Sequence, residues 1–202
     1  VYGNSKKMVI DENDIPLDNS LYGSSKICSE ILAKALYLKH EIPISICRLG
    51  QVYGPMDHNY GRLVPSIISS LLQKEEPFFK SSLDTKINLL YIDDALSALL
   101  LIINDINFNE SKFEFINVNS HYSYSIYNVF SRIKNISGSS IKIQNSNVKI
   151  NESTSIIINQ KLKAKFKWFE KTYIDEGLHK TFDYYKNLKK KNYEKIKSFT
   201  FD

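Results

Sequence analysis

The segment from Ser20 to Leu49 constrains the fold most. Ile27, Ile31, Ala35 and Leu38 recur at spacings of three and four, the period of one helix face, so the residues from Leu21 to His40 read as a helix. Ser20 stands at the N-cap, where its hydroxyl can accept from a free N–H of the first turn. Glu41-Ile42-Pro43 ends the helix, because the residue before a proline is pushed out of the helical region. Ile44 to Leu49, rich in Ile and Cys, then reads as a short buried strand. A long helix delivered straight onto a buried strand is half of an α/β unit. The rest of the chain repeats the alternation. Helical patterns follow at 62–74, from Asp93-Asp94 to Asn104 with the two acids as caps, from Ser123 to Ile136, at 160–166 and at 174–191. Strand candidates lie around Phe78-Phe79, at Asn88 to Tyr91, at Phe113 to Val118 and at Ile141 to Ile143. Residues 1–20 are loop-like, as is the stretch carrying Gly50, Gly54, Pro55 and Gly61. Residues 135–160, rich in Asn, Ser, Ile and Lys, read as a biased loop. The fold class is α/β, or a piece of it.

Composition narrows the function classes. A chain of 202 residues, 43% hydrophobic and 24% charged, can bury a sizeable core. It contains no apolar run of about 20 residues, so no membrane span is expected. It shows no charged-then-apolar start, so no secretory signal is expected and the expected location is cytoplasmic. Cys28 and Cys47 are too few for a disulfide framework or a zinc site, and are expected as reduced, buried thiols. The net charge of +5 does not argue for nucleic acid, because residues 186–202 form a basic tail that carries +4 of it.

Tyr22 and Lys26, in Tyr22-Gly23-Ser24-Ser25-Lys26, carry the chemistry. Four residues apart on a helix, they share a face. A free tyrosine has a pKa near ~10 and is a poor base at neutral pH. A neighbouring ammonium favours the phenolate, which makes a usable acceptor for a hydroxyl proton. Lysine can also donate to ribose hydroxyls. The pentad alone favours an exposed helix face with a chance Tyr–Lys contact, since the chain has 13 tyrosines.

The neighbours of the pentad separate the two readings. Val1-Tyr2-Gly3, then Glu12 and Pro16, then Tyr22-Gly23-Ser24-Ser25-Lys26 with Glu30, then Arg48-Leu49-Gly50-Gln51-Val52-Tyr53-Gly54-Pro55, then Tyr91-Ile92-Asp93-Asp94, Phe115-Ile116-Asn117-Val118, and Lys161 with Phe166-Lys167-Trp168 follow one another in order. This series resembles the extended short-chain dehydrogenase/reductase family, in its NAD-dependent epimerase/dehydratase branch. The resemblance spans nearly the whole chain. It implies the C-terminal part of a Rossmann-like doubly wound domain (residues 1–49 and 88–104), plus a small α+β substrate-binding lobe (50–87 and 105–185). It implies Tyr22 as acid/base, Lys26 as the holder of the nicotinamide ribose, NAD (or NADP) as cofactor, and a nucleotide sugar as substrate. It also implies a substrate contact from Gln51 and a homodimer when complete. Tyr2 is a further candidate substrate contact, and Arg62 is a candidate to supply charge to the substrate in place of a family Arg. The histidines share no metal-ligand spacing, so no metal is expected.

Two departures bear on that reading. Gln51 stands where the family usually has Asn, and Ile87 where many members have an Arg that grips the nucleotide diphosphate. The Ile87 departure favours a rival, a reductase of a non-nucleotide carbonyl. The seven glycines make no G-x-G-x-x-G, and the triad Ser or Thr would fall just before Val1. The sequence is therefore expected to be an incomplete chain, inactive alone, and a non-catalytic remnant or binding module is the alternative from another class.

Overall fold

The computed structural model describes residues 1–3, 7–106, 110, 112–143 and 156–192, with side chains as far as Leu188. In chain order the elements are β1 (Val9–Ile10), α1 (Leu21–His40), β2 (Ile44–Leu49), β3 (Gln51–Tyr53), α2 (Leu63–Gln73), β4 (Lys86–Ile87), β5 (Leu89–Tyr91) and α3 (Ile92–Asp105). Then come β6 (Phe113–Val118), β7 (Tyr124–Ser125), α4 (Ile126–Ser137), β8 (Ile156–Ile157), α5 (Gln160–Phe166) and α6 (Ile174–Asn192).

Parallel pairing dominates among these residues. β2 runs parallel to β6 over six positions, from Ile44 opposite Phe113 to Leu49 opposite Val118. The chain continues through Gly50, whose N–H still donates to the Val118 carbonyl at 2.9 Å. β3 then changes neighbour and runs parallel to β5, with Tyr53 opposite Tyr91. β1 pairs parallel with β8, and β4 pairs antiparallel with β7. The change of neighbour after Leu49 opens a crevice at the C-terminal ends of β2 and β6. Open α/β sheets bind ligands at such a place.

Two cores hold these layers. β5 divides its side chains between them by simple alternation. Leu89 and Tyr91 join α2, α4 and α6 in one core with Tyr53, Phe79 and Tyr185. Leu90 joins α3, Ile116 and Val118 of β6, Leu162 of α5, and Trp168 in the other. The opposite face of β6 carries Phe115 and Asn117 towards the polar network described below.

Several local expectations are corrected. Phe78 and Phe79 lie outside any strand: Phe79 is a single buried anchor against Phe130 at 6.1 Å between ring centroids, while Phe78 is exposed. Ile141 to Ile143 form no ladder, although both isoleucines pack on the first core. β3 replaces part of the expected loop. α4 begins three residues after Ser123, because Ser125 is the side chain that caps it, accepting from the Asn128 N–H. Asp93 and Asp94 do not cap α3, whose N-cap is Tyr91. Asp94 is instead buried, accepting the backbone N–H groups of Lys171 at 2.9 Å and Thr172 at 3.0 Å. Cys28 is exposed rather than buried, and Cys47 is half-buried. The apolar stripe expected on α1 is not a core face: Ile31 and Leu38 are exposed, and only Gly23 and Glu30 of that helix are buried. Most of the biased loop, 144–155, and the tail from 193 on lie outside the described residues. No helix among the described residues is long and apolar enough to cross a membrane.

Candidate active site

The start of α1 is fixed by two short side chains. Ser20 caps it, accepting from the Gly23 N–H at 3.0 Å. Asp18 accepts from the Ser20 N–H at 2.9 Å, and that bond holds its carboxyl below the usual carboxylate range. Asp18 also lies so close over the helix that an added Cβ at Gly23 would meet its Cγ at 2.0 Å. The glycine after the tyrosine is therefore a requirement of close approach. Tyr22 and Lys26 emerge beside it on one face, with the Lys26 ammonium 5.2 Å from the Tyr22 ring centroid.

Two clefts meet at Tyr22. One, of about 910 Å³, is lined by Tyr22, Gln51, Arg62, Lys86, Ile87 and Asn119 among others. The other, of about 600 Å³, is lined by Val1, Tyr2, Gly3, Tyr22, Lys26 and Glu30 among others. Tyr22, Leu49, Gly50 and Ile157 belong to both. Both volumes lie in the range of small-molecule and cofactor sites, roughly 300–1,000 Å³. The structure thus brings Tyr22, Gln51 and Arg62 to one cleft, and Tyr22, Lys26 and Tyr2 to its neighbour. Gly50 at the junction has no room for a side chain, since a Cβ there would lie 2.1 Å from Asn119 Oδ1. That oxygen is buried and has no hydrogen-bond partner among the described residues.

Charge in the first cleft comes from Arg62, which is exposed and paired with Asp57 at 3.2 Å, and from exposed Lys86. Ile87 is half-buried and offers only apolar surface. His58 sits on the solvent side, 6.4 Å from the Tyr184 ring. Among the described residues no group of His, Cys, Asp and Glu could hold a metal ion.

Behind the clefts lies a polar network that periodicity did not reveal. Arg48 on β2 donates from Nε and Nη2 to both oxygens of Glu30, at 2.9 and 2.8 Å. Its Nη1 donates to the Tyr2 hydroxyl at 2.8 Å. That hydroxyl lies 2.8 Å from Asn117 Oδ1 and 3.0 Å from the Asp11 carbonyl. Glu12 closes the set, accepting from the Asn117 N–H at 3.1 Å. The guanidinium stacks 4.3 Å over Phe115 and 5.0 Å over Tyr2. Burial raises the Tyr2 hydroxyl above the usual tyrosine range despite the opposing Arg48 charge. The only sequence signal for this set was that Tyr2, Glu12, Glu30, Arg48 and Asn117 all fall inside the ordered series of short motifs.

Comparison with known proteins agrees with the geometry. The model of the NAD dependent epimerase/dehydratase family matches residues 1–129. The human dTDP-D-glucose 4,6-dehydratase is 25% identical over 195 residues, which is 92% of this chain and 54% of that protein. The mouse enzyme of the same name is 30% identical over 104 residues, 51% of this chain and 29% of that protein. The UDP-glucose 4-epimerase of Thermotoga maritima, solved with UDP-glucose, superposes with a TM-score of 0.81 at 25% identity, covering 93% of this chain and 60% of that one. The UDP-glucuronic acid 4-epimerase of Bacillus cereus, solved with NAD, superposes with a TM-score of 0.83 at 23% identity, covering 96% and 60%. The chain thus spans little more than half the length of the human relative and about 60% of these structures. With the family model covering well over half of the chain and the tyrosine, the lysine and two clefts in place, the chain belongs to the NAD-dependent epimerase/dehydratase family.

Proposed function

We propose that this chain forms the tyrosine-bearing part of an NAD-dependent enzyme that oxidises and re-reduces, or dehydrates, the sugar of a nucleotide sugar. The observation that carries the reading is the position of Tyr22. It stands on the wall shared by two clefts, with Lys26 one turn away. The second cleft fits the nicotinamide-ribose end of the cofactor: it is large enough, and Lys26 brings donors for ribose hydroxyls. When bound there, the nicotinamide accepts and returns a hydride. Tyr22 takes the proton of the sugar hydroxyl as the hydride leaves its carbon, and gives it back on reduction. The Lys26 ammonium stands 5.2 Å from the Tyr22 ring centroid on the same helix face, within reach of a ribose hydroxyl beside it. Gln51 orients the sugar or its phosphates with a donor and an acceptor on one amide, and Tyr2 borders the ribose end. Arg62 and Lys86 meet the diphosphate, where Ile87 offers no charge.

Residues 1–49 and 88–104 serve the cofactor side in this reading, and 50–87 with 105–185 the substrate side. In this reading the core shared by α3, β6 and α5 is where the two parts adjoin. A homodimer formed through α1 fits its exposed Ile31, Leu32 and Leu36.

The test uses the protein as its cell makes it. It is incubated with NAD and UDP-glucose, UDP-glucuronic acid or dTDP-glucose, and products are read by chromatography. An epimer or a keto-deoxy sugar is expected. The apolar Ile87 in the cleft favours a second reading, reduction of a carbonyl compound without a nucleotide. Turnover of such compounds with NADH, and of no nucleotide sugar, would replace the first reading with the second.

A further inference from the structure

We propose that Arg48 is a positioning residue for the tyrosine helix: its guanidinium sets where Tyr22 and Lys26 stand relative to residues 1–3 and to the strand that leads to Gln51. The proposal rests on the reading of Tyr22 and Lys26 as the acid/base pair.

Apolar packing of α1 is thin at its N-terminal half. The C-terminal half has Tyr37 against Phe113 at 5.3 Å between ring centroids, but the buried residues are Gly23 and Glu30, while Ile31, Leu32, Leu36 and Leu38 are exposed. Around the reactive pair the helix is held by polar groups at two points. Asp18 grips it over Gly23, and Arg48 grips it at Glu30. Tyr22, Lys26 and Glu30 succeed one another by single helical turns, so they form one stripe. The reactive pair thus sits on the stripe whose far end Arg48 holds. A rotation of the Tyr22–Glu30 stripe about the first point is opposed at the second.

The same guanidinium reaches the other walls of the second cleft. Nη1 holds the Tyr2 hydroxyl at 2.8 Å and lies 3.4 Å from the Glu12 carbonyl. Arg48 itself lies three residues before Gln51 on the continuous β2–β3 path. A planar fork with five donors can make these bonds in one fixed geometry, and a lysine cannot. The side chains of Arg48 and Glu30 keep only 6% and 10% of their accessible surface. Buried ion pairs of this kind often add little to stability when compared with well-packed apolar residues. Removing both charges therefore separates positioning from stability.

The test compares the parent protein, as its cell makes it, with Arg48→Lys and with the double variant Arg48→Met, Glu30→Leu. Three quantities are read: amide hydrogen exchange along α1, α2 and α4; the thermal midpoint; and kcat and KM for the nucleotide sugar that the parent turns over. In the double variant, exchange at residues 22–30 is expected to rise about tenfold while α2 and α4 keep parental rates. Its kcat is expected to fall about 100-fold through misplacement of the reacting groups. Its KM is expected to stay within about threefold of the parent, since the interaction lost acts in the transition state. Arg48→Lys is expected to shift exchange and kcat in the same direction, because it keeps charge but loses the fork. Parental exchange in α1, or parental kcat, in the double variant overturns the proposal. Equal acceleration in all three helices with a lowered midpoint also overturns it, because that marks a purely structural role. Should the parent turn over no nucleotide sugar, the acid/base reading fails separately, and the exchange pattern alone decides the positioning.

Discussion

An ideal Cβ at Gly23 would lie 2.0 Å from Cγ of Asp18, so the tyrosine helix begins beneath a carboxylate that leaves no space for a side chain. Gly23→Ala forces Asp18 aside and disturbs the Ser20 cap beneath it. Overpacking outweighs the better helix propensity of alanine, and the net loss is expected at about 1–2 kcal/mol. Urea unfolding at constant m-value measures it, and parental stability would mean that Asp18 moves away freely.

Tyr22→Phe removes one hydroxyl from a side chain that is 73% exposed, so the thermal midpoint should not change. Turnover by the protein as its cell makes it should fall by a factor of about 10²–10⁴, the usual range for loss of an acid/base group. Steady-state kinetics checks this. A loss below tenfold would remove Tyr22 from the role given to it.

Asp94→Ala leaves the N–H groups of half-buried Thr172 and exposed Lys171 without their acceptor. The loss is expected to cost about 1–2 kcal/mol. Amide exchange at 171 and 172 should rise more than at the core of α3. Stability within error of the parent would show that water reaches the vacated site.

Glu114 sits between Lys112 and Lys165, each at 3.1 Å. Burial pushes its carboxyl up, yet the two ammonium groups outweigh burial and hold it below its ordinary value of 4.5. A depressed folded-state pKa supplies stability that is present above the unfolded value and is lost as pH falls through the folded one. Glu114→Gln should therefore narrow its stability gap from the parent as pH drops from 4.5 downwards. Denaturation at a series of pH values reads this, and a constant gap would refute it.

Cys28 is exposed and Cys47 half-buried, and burial pushes the Cys47 thiol up. A thiol reagent should label Cys28 in a fast phase and Cys47 in a slow one, because the thiolate is the reactive form. Mass spectrometry of partly labelled protein assigns the phases. Equal rates would place Cys47 in an open site.

The long elements were legible because each carries its own local signal. α1 is capped by Ser20 and stopped before Pro43, as its sequence predicts, and β2 and β6 follow from dense apolar runs. β3 was missed because three residues next to Gly50 look like loop until β5 is placed beside them. Asp94 misled in the opposite direction. Its position near a helix start suggests a cap, but its partners lie 77 and 78 residues away. That Tyr22 and Lys26 share one face of α1 was legible from their spacing. The Arg48–Glu30–Tyr2 network was not, since its members come from three separate segments and share no period.

Tyr22, Leu49, Gly50 and Ile157 are a party wall between two chambers. Whatever fills one chamber rests against part of the boundary of the other. Any preference that the first occupant imposes on the second is thermodynamically mutual, so each tightens or loosens the other by the same factor.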